Sequence, residues 1–205
     1  FIAQKRMDAI KSPPIRSRVN RIKEKMMTNQ KIAFIGSGAM AAAMIVGLLR
    51  EKLASPENLF ASDPRVDRGE ELREKYGIQP FTDNAAAVKE ADVVVLSIKP
   101  QRLSLVLDEL KGKIPEKALV LSIIAGATIE KMSTGLTHDK VIRTMPNTPA
   151  RIGEGITVWV ASDAVSDEQK EQAQTILSAL GEEVFVEDEY YLDMATALSG
   201  TGPAY

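Results

Sequence analysis

Six consecutive residues carry the clearest chemistry in the chain. Gly36-Ser37-Gly38-Ala39-Met40-Ala41 follow directly on the apolar run 31–35 and precede a helical pattern that continues to Lys52. This is a G-x-G-x-x-A spacing between a strand and a helix. Gly36 permits a tight turn, Gly38 lets the backbone come close to a pyrophosphate, and Ala41 lets the helix lie close on the sheet. The first turn of such a helix offers free N–H groups and the positive end of its dipole to phosphate oxygens. A glycine turn with a purely structural duty is the alternative. The strand–turn–helix context favours a bound dinucleotide.

A second group stands where a dinucleotide's ribose would lie. Ser62-Asp63-Pro64-Arg65 ends the next strand candidate, and Asp63 is 22 residues beyond Ala41. An acidic residue at about that spacing accepts the ribose 2′-OH of NAD. Arg65 would instead pair with the 2′-phosphate of NADP. The two residues point in opposite directions, so NADPH and NADH both stay open. A helix-starting Asp-Pro beside a solvated Arg is the plain reading.

Three further segments fall at the carboxyl ends of later strands, where open α/β sheets bind ligands. They are Ser97-Ile98-Lys99-Pro100, Ala125-Gly126-Ala127-Thr128 and Arg143-Thr144-Met145-Pro146-Asn147-Thr148-Pro149. Pro100 pins the direction of Lys99, which favours a site role for it over that of an ordinary surface lysine. Pro-Asn-Thr-Pro fixes a rigid loop with polar groups on show. His138, beside Asp139 in a polar turn, reads as solvated. Trp159 reads as core or edge packing, and Met40 and Met44, four apart, as helix packing.

Composition removes several alternatives. There is no cysteine and one histidine, which excludes disulfides, thiolate metal sites, a cysteine nucleophile and a histidine metal cluster. The lack of cysteine suits a reducing cytoplasm. A net charge of -2 gives no electrostatic footprint for nucleic acid, and no apolar run is long enough to span a membrane. Residues 1–29 are different in texture. Lys5, Arg6, Lys11, Arg16, Arg18, Arg21, Lys23 and Lys25 face only Asp8 and Glu24, and Pro13-Pro14 interrupts them. A basic arm or a targeting segment fits; upstream sequence before Met26 or Met27, or a disordered tail, fits better, and the segment is left out of the fold.

These site residues need a scaffold. Strand candidates at 31–35, 59–62, 91–97, 118–124 and 140–144 alternate with helical patterns at 66–76, 84–90, from Pro100 and at 129–134. The β-branched run Val93-Val94-Val95 is the pattern of a strand buried on both faces. The alternation predicts an α/β fold, a Rossmann-type doubly wound parallel sheet with helices on both faces. Two strands, 155–160 and 183–186, then flank a helix over 167–180. Residues 30–187 form the dinucleotide-binding domain on this reading. Residues 188–205 begin an all-helical one, whose first helix exposes an apolar face around Leu192, Met194, Ala195 and Leu198.

Taken together, GSGAMA, SIKPQ, IAGATI, RTMPNTPA, a turn centred on Gly155 and LSGTGPAY closely resemble pyrroline-5-carboxylate reductase, in order and spacing from Lys31 to Tyr205. The resemblance implies reduction of 1-pyrroline-5-carboxylate to L-proline by NADPH or NADH, and a helical domain that interlocks with a partner in a homodimer or higher oligomer. It places Gly36, Gly38, Ala39 and Met40, with Ser37 between them, on the pyrophosphate. It sets Asn84 and Lys99 along the adenosine-ribose and diphosphate side, with Ser62 and Ile98 in the same cofactor-binding segments. Ala125 and Gly126 border the nicotinamide, and Asn147 lies near it. Glu189 falls at a place used near the substrate, and Thr196 with residues 199–202 in an interdomain helix. Members that favour NADPH often carry a small polar or basic residue where this chain has Asp63. The family's substrate-carboxylate loop and imine-binding threonine would follow Tyr205, so a truncated protein is expected.

The resemblance implies hydride transfer to the C5 carbon of a cyclic imine, which requires no triad and no histidine base. Glu189 could favour the iminium form through its charge. A β-hydroxyacid-type dehydrogenase would need a lysine in a later helix, and Lys170, in a polar stretch, is the sole lysine after Pro149. A nucleotide-binding module without catalysis is the non-enzyme alternative.

Overall fold

The structure, a computed structural model, describes residues 29–200. The readings for the leader up to residue 28 and for 201–205 lie outside the described residues, as do the side chains at 199–200.

A short apolar strand, β1 (Ile32–Ile35), runs into the glycine turn and then helix α1 (Ala39–Arg50). Strand β2 (Leu59–Ser62), helix α2 (Val66–Tyr76) and strand β3 (Gln79–Phe81) follow. Helix α3 (Asn84–Val88), strand β4 (Val93–Leu96) and helix α4 (Leu103–Leu110) come next, the last preceded by a 3-10 turn at Pro100–Arg102. Strand β5 (Leu119–Ser122), helix α5 (Ile129–Leu136) and strand β6 (Val141–Pro146) complete the alternation. Strand β7 (Gly155–Ala161), helix α6 (Asp167–Ser178), strand β8 (Gly181–Phe185) and helix α7 (Tyr190–Ala195) end it, with a π-helical turn over Thr196–Gly200.

The strands form one sheet in the order β3-β2-β1-β4-β5-β6-β7-β8. All neighbours are parallel except β6 and β7, which meet antiparallel across a connection that carries a 3-10 turn over Thr148–Ile152. That reversal departs from a purely parallel sheet, and β8 then runs parallel to β7. Strand β3 is absent from the sequence reading because Gln79-Pro80-Phe81 is short and half-buried, and proline is confined to edges.

Strict period-two alternation distributes the strand side chains. Ile32, Phe34, Val93, Val95, Leu119 and Leu121 enter one core with Met44 and Leu48 of α1, Leu72 of α2 and Ile176 of α6. Ala33, Ile35, Val94, Leu96 and Val120 enter the other with Val88, Leu107 and Met132 of α3, α4 and α5. Helices therefore cover both faces, which is why β1 and β4 read as unbroken apolar runs. Two sequence expectations about packing hold: Trp159 and Met44 are buried in the first core, and Met40 packs on its edge.

One other holds in part and one fails. Leu192 is fully buried and Ala195 half-buried, whereas Met194 of α7 and Leu198 of the following π-helical turn are exposed as expected, with Tyr190 and Tyr191 beside them. His138 is 7% exposed rather than solvated. Thr137 takes a left-handed conformation that ends α5 and turns the ring inward, where Nε2 lies 2.8 Å from the Ala118 carbonyl. Burial lowers its pKa from the ordinary 6.5, with Lys140 adding to the effect while the Ala118 hydrogen bond and Asp139 oppose it. The unfolded chain therefore takes up the proton first. His138's contribution to stability is complete above about pH 6.5 and shrinks as pH falls from there toward the folded-state value. His138→Gln should flatten the fall in thermal midpoint between about pH 7 and 5. An unchanged slope would locate the pH dependence elsewhere.

Candidate functional site

The chain runs outward from β1 to β2 and β3, then returns to lay β4 on the other side of β1. The connections from β1 and β4 leave in opposite directions, so a crevice opens at their carboxyl ends, the usual ligand position in such sheets. The glycine turn forms its floor. Gly36 has φ +93°, and a Cβ there would sit 2.8 Å from the Ser97 carbonyl oxygen, so the strand ends meet only because that atom is missing. Ser97 fastens them further, its hydroxyl donating to the Gly36 carbonyl at 2.7 Å with the Ile35 carbonyl a second acceptor at 3.1 Å.

Gly38 has a different duty. Its φ of -68° is open to any residue, and a Cβ on it would meet nothing within 4 Å. The missing side chain leaves space directly before α1. No side chain caps α1, and its first turn holds no acidic residue. An uncapped helix N-terminus facing open space suits an anion.

Around this floor lies a cleft of about 520 Å³ lined by Gly36, Ser37, Gly38, Ser62, Asp63, Arg65, Asn84, Ile98 and Lys99. The structure thus gathers nine of the residues expected to bind a cofactor. Ala39 and Met40 are the first two residues of α1. Lys99 immediately precedes the Pro100 turn. Asn84 begins α3 behind the Asp83 cap, its amide donating to Glu109 at 2.6 Å. The Ser62 hydroxyl is buried with no hydrogen-bond partner among the described residues, an orphaned polar atom in the wall of the cleft.

Asp63 and Arg65 form one unit. The carboxylate accepts from the Ser37 hydroxyl at 2.9 Å and the Ser37 N–H at 3.4 Å. It also accepts from the Arg65 backbone N–H at 3.1 Å and from Nε at 3.0 Å. Burial alone would raise its pKa; the Arg65 and Ser37 hydrogen bonds outweigh it and hold the group at about 2. The Arg65 side chain stays 62% exposed at the mouth.

Other expected site residues lie outside this lining. Ala125 and Gly126 follow β5 at the same edge of the sheet. Gly126 has φ +71°, with no atom within 4 Å of where its Cβ would be. The Asn147 side chain accepts from the Ile156 N–H at 3.0 Å, closing the β6–β7 connection. Glu189 accepts from Arg143 at 2.8 Å and from the Ile129 N–H at 3.0 Å, and the Thr196 hydroxyl donates to the Leu192 carbonyl. Lys170 pairs with Asp167 and lies over the Phe185 ring, and the cleft lining does not include it.

Two residues without a place in the sequence reading, Arg68 and Arg102, take part, and Arg143, named there only as the start of a segment, acquires a specific duty. Arg68 donates from Nε to the Ser37 carbonyl at 2.9 Å, bracing the glycine turn. Its signal was its place one helical turn after Arg65. Arg102 adds a cation to the cleft wall. Arg143 is a charge inside a buried strand, which must find a partner; its partners are distant in sequence. Among the described residues no group of His, Cys, Asp or Glu could hold a metal, and no helix is long and apolar enough to cross a membrane.

Residues 31–126 match the family described as NADP oxidoreductase coenzyme F420-dependent. The chain is 39% identical over 180 residues to the pyrroline-5-carboxylate reductase of Methanosarcina acetivorans, which covers 87% of this chain and 66% of that protein. Among solved structures, a pyrroline-5-carboxylate reductase from Coxiella burnetii superposes with a TM-score of 0.82 at 35% identity, over 86% of this chain and 66% of that one. The Plasmodium falciparum pyrroline carboxylate reductase with NADP bound superposes at 0.77 and 28% identity, over 87% of this chain and 65% of that one. The chain thus spans a little under two thirds of the length of these relatives.

Proposed function

Because the chain belongs to the pyrroline-5-carboxylate reductase family, we propose that it binds NADPH or NADH and reduces 1-pyrroline-5-carboxylate to L-proline. The observation that carries this reading is the open space at Gly38 before the uncapped start of α1, inside a cleft at the strand-order reversal. A diphosphate fits there: Gly38 supplies room, the first amides of α1 supply donors, and Lys99, Arg102 and Arg65 stand around the lining as cations. A bound reduced nicotinamide would supply the hydride for the C5 carbon of the substrate imine.

This chain's residues position rather than react. Gly36 and Ser97 hold the two strand ends together, and Arg68 braces the turn. Ala125 and Gly126 lie where the second half of a dinucleotide extends, on the β4–β5–β6 side of the reversal. Glu189 stands on Arg143 and the α5 amide through one of its oxygens, so its carboxylate orients α7. The proposed division is 30–187 as the dinucleotide domain and 188–205 as the start of a helical one. A homodimer or higher oligomer in the cytoplasm fits the family and the cysteine-free composition.

The test is calorimetric titration with NADPH and NADH, followed by loss of nicotinamide absorbance with 1-pyrroline-5-carboxylate and analysis for proline. Binding of neither dinucleotide would overturn the reading.

A further inference from the structure

Arg143 lies in the middle of β6, flanked by Ser122 of β5 and Val160 of β7, and is 3% exposed. A guanidinium cannot lose its charge in a protein, so at that depth it must be paired. It is paired twice. Nη1 donates to the Glu189 carboxylate at 2.8 Å and Nη2 to that of Asp193 at 2.7 Å. The two acids are one helical turn apart, and with Leu192 buried between them they fix both the height and the rotation of α7. Two arms held at once need a planar fork, which lysine does not have.

The same Glu189 oxygen also accepts from the backbone N–H of Ile129. Ile129 is the first residue of α5 and follows Gly126 by three positions. The Gly126 loop is therefore tied to α7 through a single carboxylate standing on a buried cation. Gly126 itself faces open space, at the side of the sheet where the nicotinamide half of a dinucleotide extends.

We propose that Arg143 is a positioning residue that couples occupancy of the Gly126 side of the cleft to the placement of α7. The coupling rests on the dinucleotide reading and deepens it. A ligand reaching Gly126 steadies the Ile129 amide, the amide steadies Glu189, and Arg143 transmits this to both acids of α7. The effect is reciprocal: disordering α7 weakens the hold on the nicotinamide but not on the adenosine end.

Hydrogen exchange of the full chain separates these cases, with NADPH compared against 2′-phospho-ADP-ribose, which lacks only the nicotinamide. In the parent protein NADPH should slow exchange in residues 190–195 by about tenfold, while 2′-phospho-ADP-ribose leaves it nearly unchanged. Arg143→Met should abolish that difference and weaken NADPH by about tenfold, with 2′-phospho-ADP-ribose binding as before. Glu189→Ala removes the shared acceptor, leaves Arg143 with Asp193 and decides the matter if Arg143→Met does not fold; it should also uncouple the two ends. Equal protection of α7 by both ligands, or the parent pattern persisting in the variant that folds, overturns the coupling. Failure of both ligands to bind the parent overturns the dinucleotide reading instead.

Discussion

Gly38→Asp should keep the fold and lose the ligand, with dinucleotide affinity falling by about a hundredfold or more. The backbone at Gly38 (φ -68°, ψ -175°) is ordinary extended chain, and the new side chain enters empty space. Aspartate is also a favoured residue before a helix and would cap α1, though against the glycine it replaces that contributes only about a few tenths of a kcal/mol. Stability should hold or rise. The carboxylate, however, occupies the place of the diphosphate and takes the N–H groups that would hold it. Two like charges about 4 Å apart at an effective dielectric of about 20 repel by about 4 kcal/mol, so the hundredfold figure is a modest expectation. Gly36→Ala is the contrasting variant. Its positive φ and the 2.8 Å approach to the Ser97 carbonyl make that change destabilise the fold before binding is affected. Calorimetric titration and thermal unfolding on both variants separate ligand space from turn geometry. Undiminished binding in Gly38→Asp would move the dinucleotide away from the glycine turn.

Local signals were legible in the sequence wherever one residue type settles the geometry. The glycine fingerprint, the β-branched run of β4 and the Pro100 turn each state their own conformation, and α2 and β2 fall at their expected bounds. Pairings across the sequence were not legible. Arg143 reads as one charge in a strand until Glu189 and Asp193, 46 and 50 residues away, are brought beside it. His138 reads as part of a polar turn because nothing in its neighbourhood tells that Thr137 turns the ring under Ala118. The reversal of β7 belongs to the same class, since strand direction depends on the packing of α6 and β8 as much as on the strand's own residues. Asp63 shows the limit most clearly. Spacing left it open between a ribose acceptor and a bystander to Arg65, and only the structure shows its oxygens already engaged by Ser37 and Arg65.

That engagement decides the expected cofactor. NADPH should bind more tightly than NADH by about tenfold or more, and Arg65→Met should remove the margin. An acid at the end of β2 favours NAD when its oxygens are free to accept the 2′-OH and its charge repels a 2′-phosphate. Here one oxygen of Asp63 takes the Arg65 N–H and Nε, and the other takes the Ser37 hydroxyl. The charge persists at all ordinary pH, its pKa held at about 2, but the guanidinium beside it offsets it. What faces solvent at the cleft mouth is Arg65, 62% exposed and braced by the acid behind it. A braced guanidinium offers a phosphate charge-assisted hydrogen bonds, enough for roughly tenfold selectivity at an exposed cleft mouth. Removing Arg65 has two effects of the same sign on the ratio. It deletes the phosphate's partner, and it releases the carboxylate to accept a 2′-OH, so NADPH weakens while NADH holds or gains. Dissociation constants for both dinucleotides on the parent and on Arg65→Met test this directly. A parent protein that prefers NADH, or a variant whose ratio does not move, would show that Asp63 still reads the ribose from within its ion pair.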